Sequence, residues 1–344
     1  MKSQGKFPLV LKQIARQEGV ALIAVMWIFI FLFVVAFEFS TSTREEAAAA
    51  QRFSDETLGY YLAVAGFERG LYDFLNQQGQ TTTPSLGEKQ GDLFDGTFRE
   101  AALGDGQFRV RLVDESAKVN INRVNEETLR RVFANLGLDE NRRDVLVDSI
   151  MDWRDADDLH RTNGAENDYY ATLSPAYSAR NGPLDSVEDL LWIKGMTPDL
   201  FFGYDRARDS SPNEPPPIAL REIFTVDSPI DRVNLRTASA EVIHALTGIP
   251  LDKCRNFVDE RKKLSEKTLP DLLPLLGIGA GDSALQMFVF TNPSVVAVEA
   301  EGRPTGARAA RRVKGIVRLG GAQGFELLRW LDRDLALPRS ESVG

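Results

Sequence analysis

Residues 20–37 read VALIAVMWIFIFLFVVAF, an unbroken apolar run whose nearest charges are Glu18 before it and Glu38 after it. At a helical rise of about 1.5 Å per residue, such a run matches the thickness of a bilayer's hydrocarbon core. Lys2, Lys6, Lys12 and Arg16 precede it, whereas Thr43-Arg44-Glu45-Glu46 beyond it carries no basic excess. Cytoplasmic flanks retain the positive charge, so residues 1–18 are expected in the cytoplasm and the rest of the chain across the membrane.

Two observations argue that this helix is kept. Glu38-Phe39-Ser40-Thr41 offers no small-residue cleavage pattern after the run, as a secretory signal peptide would. Gly19 stands directly before it, and this basic leader, glycine and apolar helix resemble the class III leader of type IV pilins and pseudopilins, in which prepilin peptidase cuts after the glycine. An uncleaved signal anchor with an incidental glycine is the competing reading. Glu45, Glu46 and the alanines at 47–50 are strong helix formers. Leu58, Leu62, Ala65 and Tyr72 keep a period near 3.6, which predicts one helix from residue 20 to about 77, half membrane anchor and half spine of a folded domain.

The 344 residues carry a net charge of -9 and a sequence pI near 5.0. That balance opposes wrapping nucleic acid, which needs a basic face, and favours protein partners. Cys254 is the only cysteine, so no intramolecular disulfide forms, and it reads as a small core residue. After the turn signal Gly104-Asp105-Gly106, Phe108, Val110 and Leu112 alternate with Arg109 and Arg111 as in a half-buried strand. Further strands are expected at 295–298, 313–319 and 325–331, with turns at 302–306 and 320–324. The predicted fold is α+β. The spine helix packs on an antiparallel sheet built from residues 78–116 and 291–335, and residues 117–290 form an inserted, mostly helical domain.

That insertion carries a weak internal repeat. Val119-Asn120-Ile121 recurs as Val233-Asn234-Leu235, followed by the N-cap candidates Asn125 and Ser239. Leu129 and Val132 then correspond to Ile243 and Leu246. Leu190-Leu191-Trp192-Ile193-Lys194-Gly195 likewise matches Leu272-Leu273-Pro274-Leu275-Leu276-Gly277. The units read as helix-hairpin-helix elements in two halves, 117–208 and 218–290, separated by a Pro-rich spacer at 210–217. Such turns often meet DNA phosphates through their amides, but the acidic balance and the location across the membrane favour structural hairpins.

One segment of the first half is crowded with carboxylates: Asp152, Asp155, Asp157, Asp158, Glu166 and Asp168, with Asn163, Asn167 and Gly164 among them. Hard divalent cations take several oxygen ligands at once. Calcium held by a subset of Asp155, Asp157, Asn163, Glu166 and Asp168 is therefore expected, although the spacing is not that of an EF-hand. The alternative is a solvated acidic loop in which Asp152 caps the helix or pairs Arg154. His160 lies in this loop, and His244 lies in a helical pattern. No zinc spacing, phosphate loop or nucleophile elbow is present, so no enzymatic activity is expected.

Several blocks together resemble the K-type minor pseudopilins of the type II (general) secretion system. They are Gly19-Val20-Ala21-Leu22-Ile23, Asp114-Glu115-Ser116-Ala117-Lys118-Val119-Asn120-Ile121-Asn122, Asp152-Trp153-Arg154-Asp155-Ala156-Asp157-Asp158, Asn163-Gly164-Ala165-Glu166-Asn167-Asp168-Tyr169-Tyr170, Arg180-Asn181-Gly182-Pro183 and residues 190–196. The resemblance implies cleavage between Gly19 and Val20 by prepilin peptidase and methylation of the Val20 amine. It also implies a pilin fold with a helical insertion, calcium in that insertion, and an inner-membrane protein with a periplasmic C-terminal region. Its partners would be other minor pseudopilins and the major pseudopilin, at the tip of the periplasmic pseudopilus. Ala24 at the fifth mature position departs from the glutamate of most pseudopilins and agrees with the K type. A competence-type, DNA-binding pilin is the alternative.

Overall fold

The computed structural model describes residues 18–79, 93–203, 218–263, 269–279, 281–307, 309–320 and 324–332. Leader residues 1–17 and the Pro-rich spacer at 210–217 lie outside the described residues. In chain order, helix α1 (Glu18–Gly79) is followed by strands β1 (Arg99–Leu103), β2 (Gly106–Asp114) and β3 (Val119–Asn120). Next come helices α2 (Glu126–Asn135), α3 (Glu140–Arg154), α4 (Asn167–Tyr170), α5 (Pro198–Phe202) and α6 (Leu220–Ile223). The rest are β4 (Phe224–Thr225), β5 (Val233–Asn234), α7 (Ala240–Thr247), α8 (Leu251–Lys262), β6 (Phe288–Val289), β7 (Val295–Pro304), β8 (Arg311–Leu319) and β9 (Phe325–Leu331).

The chain divides into two units, residues 1–58 and 59–344. The first contains the apolar part of α1, whose mean hydropathy reaches 2.7 and which is long and apolar enough to cross a membrane. Its large side chains, Trp27, Phe29, Phe31 and Phe33 among them, are all exposed.

In the second unit the end of α1 lies on an antiparallel sheet of order β1-β2-β7-β8-β9. Ala63, Phe67, Leu71 and Phe74 pack against Phe108, Val110, Leu112, Val296, Val298, Ala300, Val313 and Val317. The buried face differs from the expected one. Leu62 is buried, but Leu58 and Tyr72 are exposed and Ala65 is only half-buried. The reason is that glycines hold the centre of this contact, and a glycine adds no apolar bulk to a periodicity. A Cβ on Gly70 would come within 2.7 Å of Val110 and 2.9 Å of Val298. Gly302 makes the same point from the sheet side. It was expected in a turn, yet β7 runs through it to Pro304, and a Cβ there would lie 2.2 Å from the Gly59 carbonyl of α1. Strand β1, with no alternation in Arg-Glu-Ala-Ala-Leu, was not anticipated; the other four strands were.

The opposite face of the sheet carries charge in register. Arg109, Glu301 and Arg312 are cross-strand neighbours, as are Arg111, Glu299 and Lys314. Arg109 Nε donates to Glu301 at 2.6 Å, and Arg312 Nε also pairs with Glu301. Arg111 and Lys314 lie 2.7 and 3.4 Å from the two oxygens of Glu299.

The whole insertion lies between β2 and β7, which are hydrogen-bonded neighbours. Both of its halves contribute to one hydrophobic core, from Ala117 and Leu129 to Leu246, Phe257 and Phe288. The repeat is structural. Asn120 and Asn234 each accept a backbone N–H two residues on, from Asn122 at 2.9 Å and Arg236 at 3.2 Å. Each also sits in a short parallel pairing, β3 with β4 and β5 with β6. Asn125 and Ser239 cap α2 and α7 by accepting from Thr128 N and Val242 N. Leu129, Val132, Ile243 and Leu246 are all buried. The second matched pair forms 3₁₀ rather than α-helix, at Val187–Trp192 and Leu269–Leu276. Each ends before a glycine with φ of +87° and +74° (Gly195 and Gly277), a conformation that favours glycine.

A buried polar knot joins the sheet to the insertion. Asp114 accepts from Ser116 N (2.9 Å), Asn234 Nδ2 (2.8 Å) and Thr237 Oγ1 (2.5 Å). Glu115 accepts from Thr225 Oγ1 and faces Lys118 and Lys314 at 3.6 and 3.8 Å. Both carboxylates are 2% exposed, so each depends on partners drawn from distant sequence.

Candidate metal centre

Helix α3 positions the site. Its N-cap Asp139 accepts from Arg142 N at 3.0 Å, and the helix carries Asp144, Asp148 and Asp152 at successive four-residue steps, which place them along one face. Arg130 of α2 holds Asp144 and Asp148, the latter at 2.9 Å. The second oxygen of Asp148 accepts Asn163 N and Nδ2 at 3.2 and 3.1 Å. Asp148 is therefore fully used.

One turn on, the chain folds back so that Arg161 meets Asp152. Arg161 N donates to Asp152 Oδ2 at 3.0 Å, and its Nη1 lies 3.0 Å from both Asp152 Oδ1 and Asp155 Oδ2. Arg154 does not pair with Asp152, because its guanidinium turns to the carbonyls of Ile121 and Val124. Gly164 permits the fold-back, since a Cβ there would fall 1.8 Å from Asp152 Oδ2. Lys194 closes it from the other side, donating to the Gly164 and Asn163 carbonyls at 2.9 and 3.2 Å.

Glu166 lies at the centre of this arrangement and is the anomaly of the molecule. It is 1% exposed, and neither carboxylate oxygen has a hydrogen-bond partner among the described residues. Burial, then the charges of Asp152, Asp155, Asp158 and Asp157, push its carboxyl up to about 7. Asp155 Oδ1 and Asn181 Oδ1 are buried and unpartnered as well. Asn181, held at a φ of +48°, donates through Nδ2 to the Asp157 carbonyl and to Asp158 Oδ1, each at 3.0 Å.

Of the residues expected to hold calcium, Asp155 and Asp157 lie near enough to Glu166 for their charges to act on its carboxyl. Asn163 is engaged with Asp148, and Asp168 is exposed with its Oδ1 taken by Tyr169 N at 2.7 Å; neither joins the group. Asp152, Asp158 and Asn181 do. A lone asparagine 23 residues from Asp158 in sequence gives no local signal that could have found it. His160 points to solvent, His244 Nδ1 rests 2.7 Å from the Ile249 carbonyl, and burial pushes the Cys254 thiol up to about 12, which makes it inert.

The donor chemistry suits a hard cation. The unpartnered atoms of Glu166, Asp155 and Asn181 are oxygens, and an isolated buried carboxylate such as Glu166 is costly without a counter-charge. Among the described residues no three His, Cys, Asp or Glu side chains already form a ready coordination shell; Arg161 holds Asp152 and Asp155 together instead.

A family model described as type II secretion system protein K matches residues 106–204, which contain this site. Type II secretion system protein K of Pseudomonas aeruginosa is 29% identical over 259 residues, covering 71% of this chain and 72% of that protein. The protein of the same description from Klebsiella pneumoniae is 28% identical over 206 residues. Over residues 106–204 the chain is similar to the type II secretion system protein K family. Its match spans 60% of the length of the Klebsiella relative and 54% of its own. The fold is similar to that in the crystal structure of the GspK–GspI–GspJ complex from the enterotoxigenic Escherichia coli type 2 secretion system. The TM-score is 0.56 at 16% identity, covering 86% of this chain and 99% of that chain.

Proposed function

We propose that this chain is a K-type minor pseudopilin that caps the tip of the periplasmic pseudopilus and helps to initiate its assembly. One observation carries the reading: residues 115–294 are inserted in sequence between two neighbouring sheet strands, β2 and β7. A subunit so loaded is too bulky to repeat at every step of a filament and suits an end position. Ala24 agrees with this. In a filament the fifth-position carboxylate neutralises a neighbour's terminal ammonium inside an apolar bundle, where an unpaired charge is costly. A subunit with Ala24 makes no such contact to a subunit ahead of it.

The proposal includes cleavage by prepilin peptidase between Gly19 and Val20, methylation of the Val20 amine, and a single inner-membrane span with the folded region in the periplasm. The partners are other minor pseudopilins, in keeping with the complex named for the structural neighbour, and the major pseudopilin. The DNA-binding alternative draws no support from the relatives found, which are secretion proteins. Calcium belongs to the same reading, with Glu166, Asp155, Asp157, Asp158 and Asn181 as the residues that would hold it. It would supply the positive charge that Glu166 lacks and so brace the loop between α3 and α4.

The test is replacement of residues 117–290 by a short turn, scored by pseudopilus length and by secretion. Loss of tip complexes and of secretion is expected, and normal secretion would refute the capping role. Sequencing the mature N-terminus should give Val20; a start beyond Phe37 would refute retention of the helix. Calcium binding measured by calorimetry should vanish in Glu166→Gln.

A further inference from the structure

Among the described residues, the five clustered carboxylates, Asp152, Asp155, Asp157, Asp158 and Glu166, have one ion-paired cation, Arg161, which also approaches Glu126 at 4.0 Å. Arg154 serves carbonyl oxygens, and Lys194 serves the Asn163 and Gly164 carbonyls. Only Arg161 bridges two of the acids, with Nη1 3.0 Å from both Asp152 and Asp155. The two contacts differ in permanence. Asp152 is fully buried and is held by Arg161 N as well as by the guanidinium. Asp155 is 34% exposed, and its other oxygen is unpartnered. The guanidinium itself is 35% exposed, so it can leave Asp155 for solvent without unfolding anything, while the backbone bond keeps Asp152 in place. Glu166, buried with both oxygens unpartnered, marks where positive charge is still wanted.

We infer that Arg161 is the resident counter-cation of this cluster and competes with the bound metal, acting as a built-in brake on affinity. The inference rests on the calcium reading given above. A divalent ion shared by Asp155 and Glu166 would repel a guanidinium lying on Asp155, so the two cations couple negatively, and the coupling is reciprocal. Arg161 thus lowers the metal affinity of the site and in exchange holds the metal-free loop together. A site tuned this way fills only where calcium is abundant, as outside the cytoplasm.

The test is isothermal titration of calcium into the full-length chain in detergent, for wild type, Arg161→Met and Arg161→Lys, with melting measured in chelator and in calcium. Arg161→Met should bind calcium about tenfold more tightly through loss of the competing charge. It should also melt lower than wild type in chelator and close to wild type in calcium. Arg161→Lys keeps the charge and loses the two-pronged geometry, so it should stay nearer to wild-type affinity. Equal or weaker binding by Arg161→Met, with wild-type binding intact, would overturn the competition while leaving the calcium site standing. No binding heat in wild type or in either variant would overturn the calcium reading itself, and this inference with it.

Discussion

On the sheet, Glu299 and Glu301 each lie between two cations contributed by neighbouring strands. Around the loop after α3, Arg161 pairs with two of five clustered carboxylates, Asp152 and Asp155, and Glu166 has no hydrogen-bond partner among the described residues. The consequences run in opposite directions. Burial alone would raise the Glu299 carboxyl, but Lys314, Arg111 and Lys118 outweigh it and hold the group down to about 2. Burial and like charges push Glu166 up to about 7. The chain satisfies acids with its own cations in one region and leaves Glu166 without a partner in the other, which is the contrast on which the proposed cation site rests.

Removing a sheet cation should break this contrast most severely. Lys314→Met strips a counter-charge from Glu299 and from Glu115, and should cost ~3 kcal/mol in a urea titration of the chain in detergent. In the loop, Gly164→Ala drives a methyl group into Asp152 and should cost ~2 kcal/mol by displacing Asp152 from Arg161. Acid should reveal the sign of the sheet pairs. Because the folded Glu299 carboxyl lies below its ordinary value of 4.5, its contribution is complete above that pH. About 2 kcal/mol of it should disappear as pH falls toward 2, and Lys314→Met should flatten that part of the stability curve. Glu166→Gln should act the other way, stabilising the chain by ~1 kcal/mol in chelator at neutral pH, because it removes a buried charge that nothing balances. Arg312→Ala should cost less, ~1 kcal/mol, since its own side chain is half exposed and Arg109 remains on the buried Glu301.

The same contrast explains what could be read beforehand. The alternation of Phe108, Val110 and Leu112 and the aliphatic runs at 295–298 and 313–319 announced strands, because side-chain period reports burial directly. The repeat around Asn120 and Asn234 was visible because each asparagine builds its turn from residues two to four positions away. The face that α1 buries was misjudged, as close helix-to-sheet contact is written in Gly59, Gly66, Gly70 and Gly302, residues a hydrophobic pattern does not weigh. In the acidic segment, Asp155, Asp157 and Glu166 stand out by acid density alone. Asp152, Asp158, Asn181 and Arg161 acquire their roles from hydrogen bonds across 6 to 23 residues, which composition does not reveal. The block from Asp114 to Asn122 was recognisable as a motif but carried no reason until its carboxylates were seen to close on Thr225, Asn234, Thr237 and Lys314.

The pairing of Asp114 with Val296 also bears on how the chain comes together in time. Strands β1 and β2 need only a tight turn to meet, whereas β7 cannot join β2 until everything between them has been brought back to within one strand spacing. Ordering so long a loop is entropically costly if the loop is still a coil, and much less so once it has condensed into a body whose two ends already emerge side by side. The insertion is therefore expected to fold first and to act as the clamp that nucleates the sheet, so that lesions in its core should delay refolding of strands they never touch.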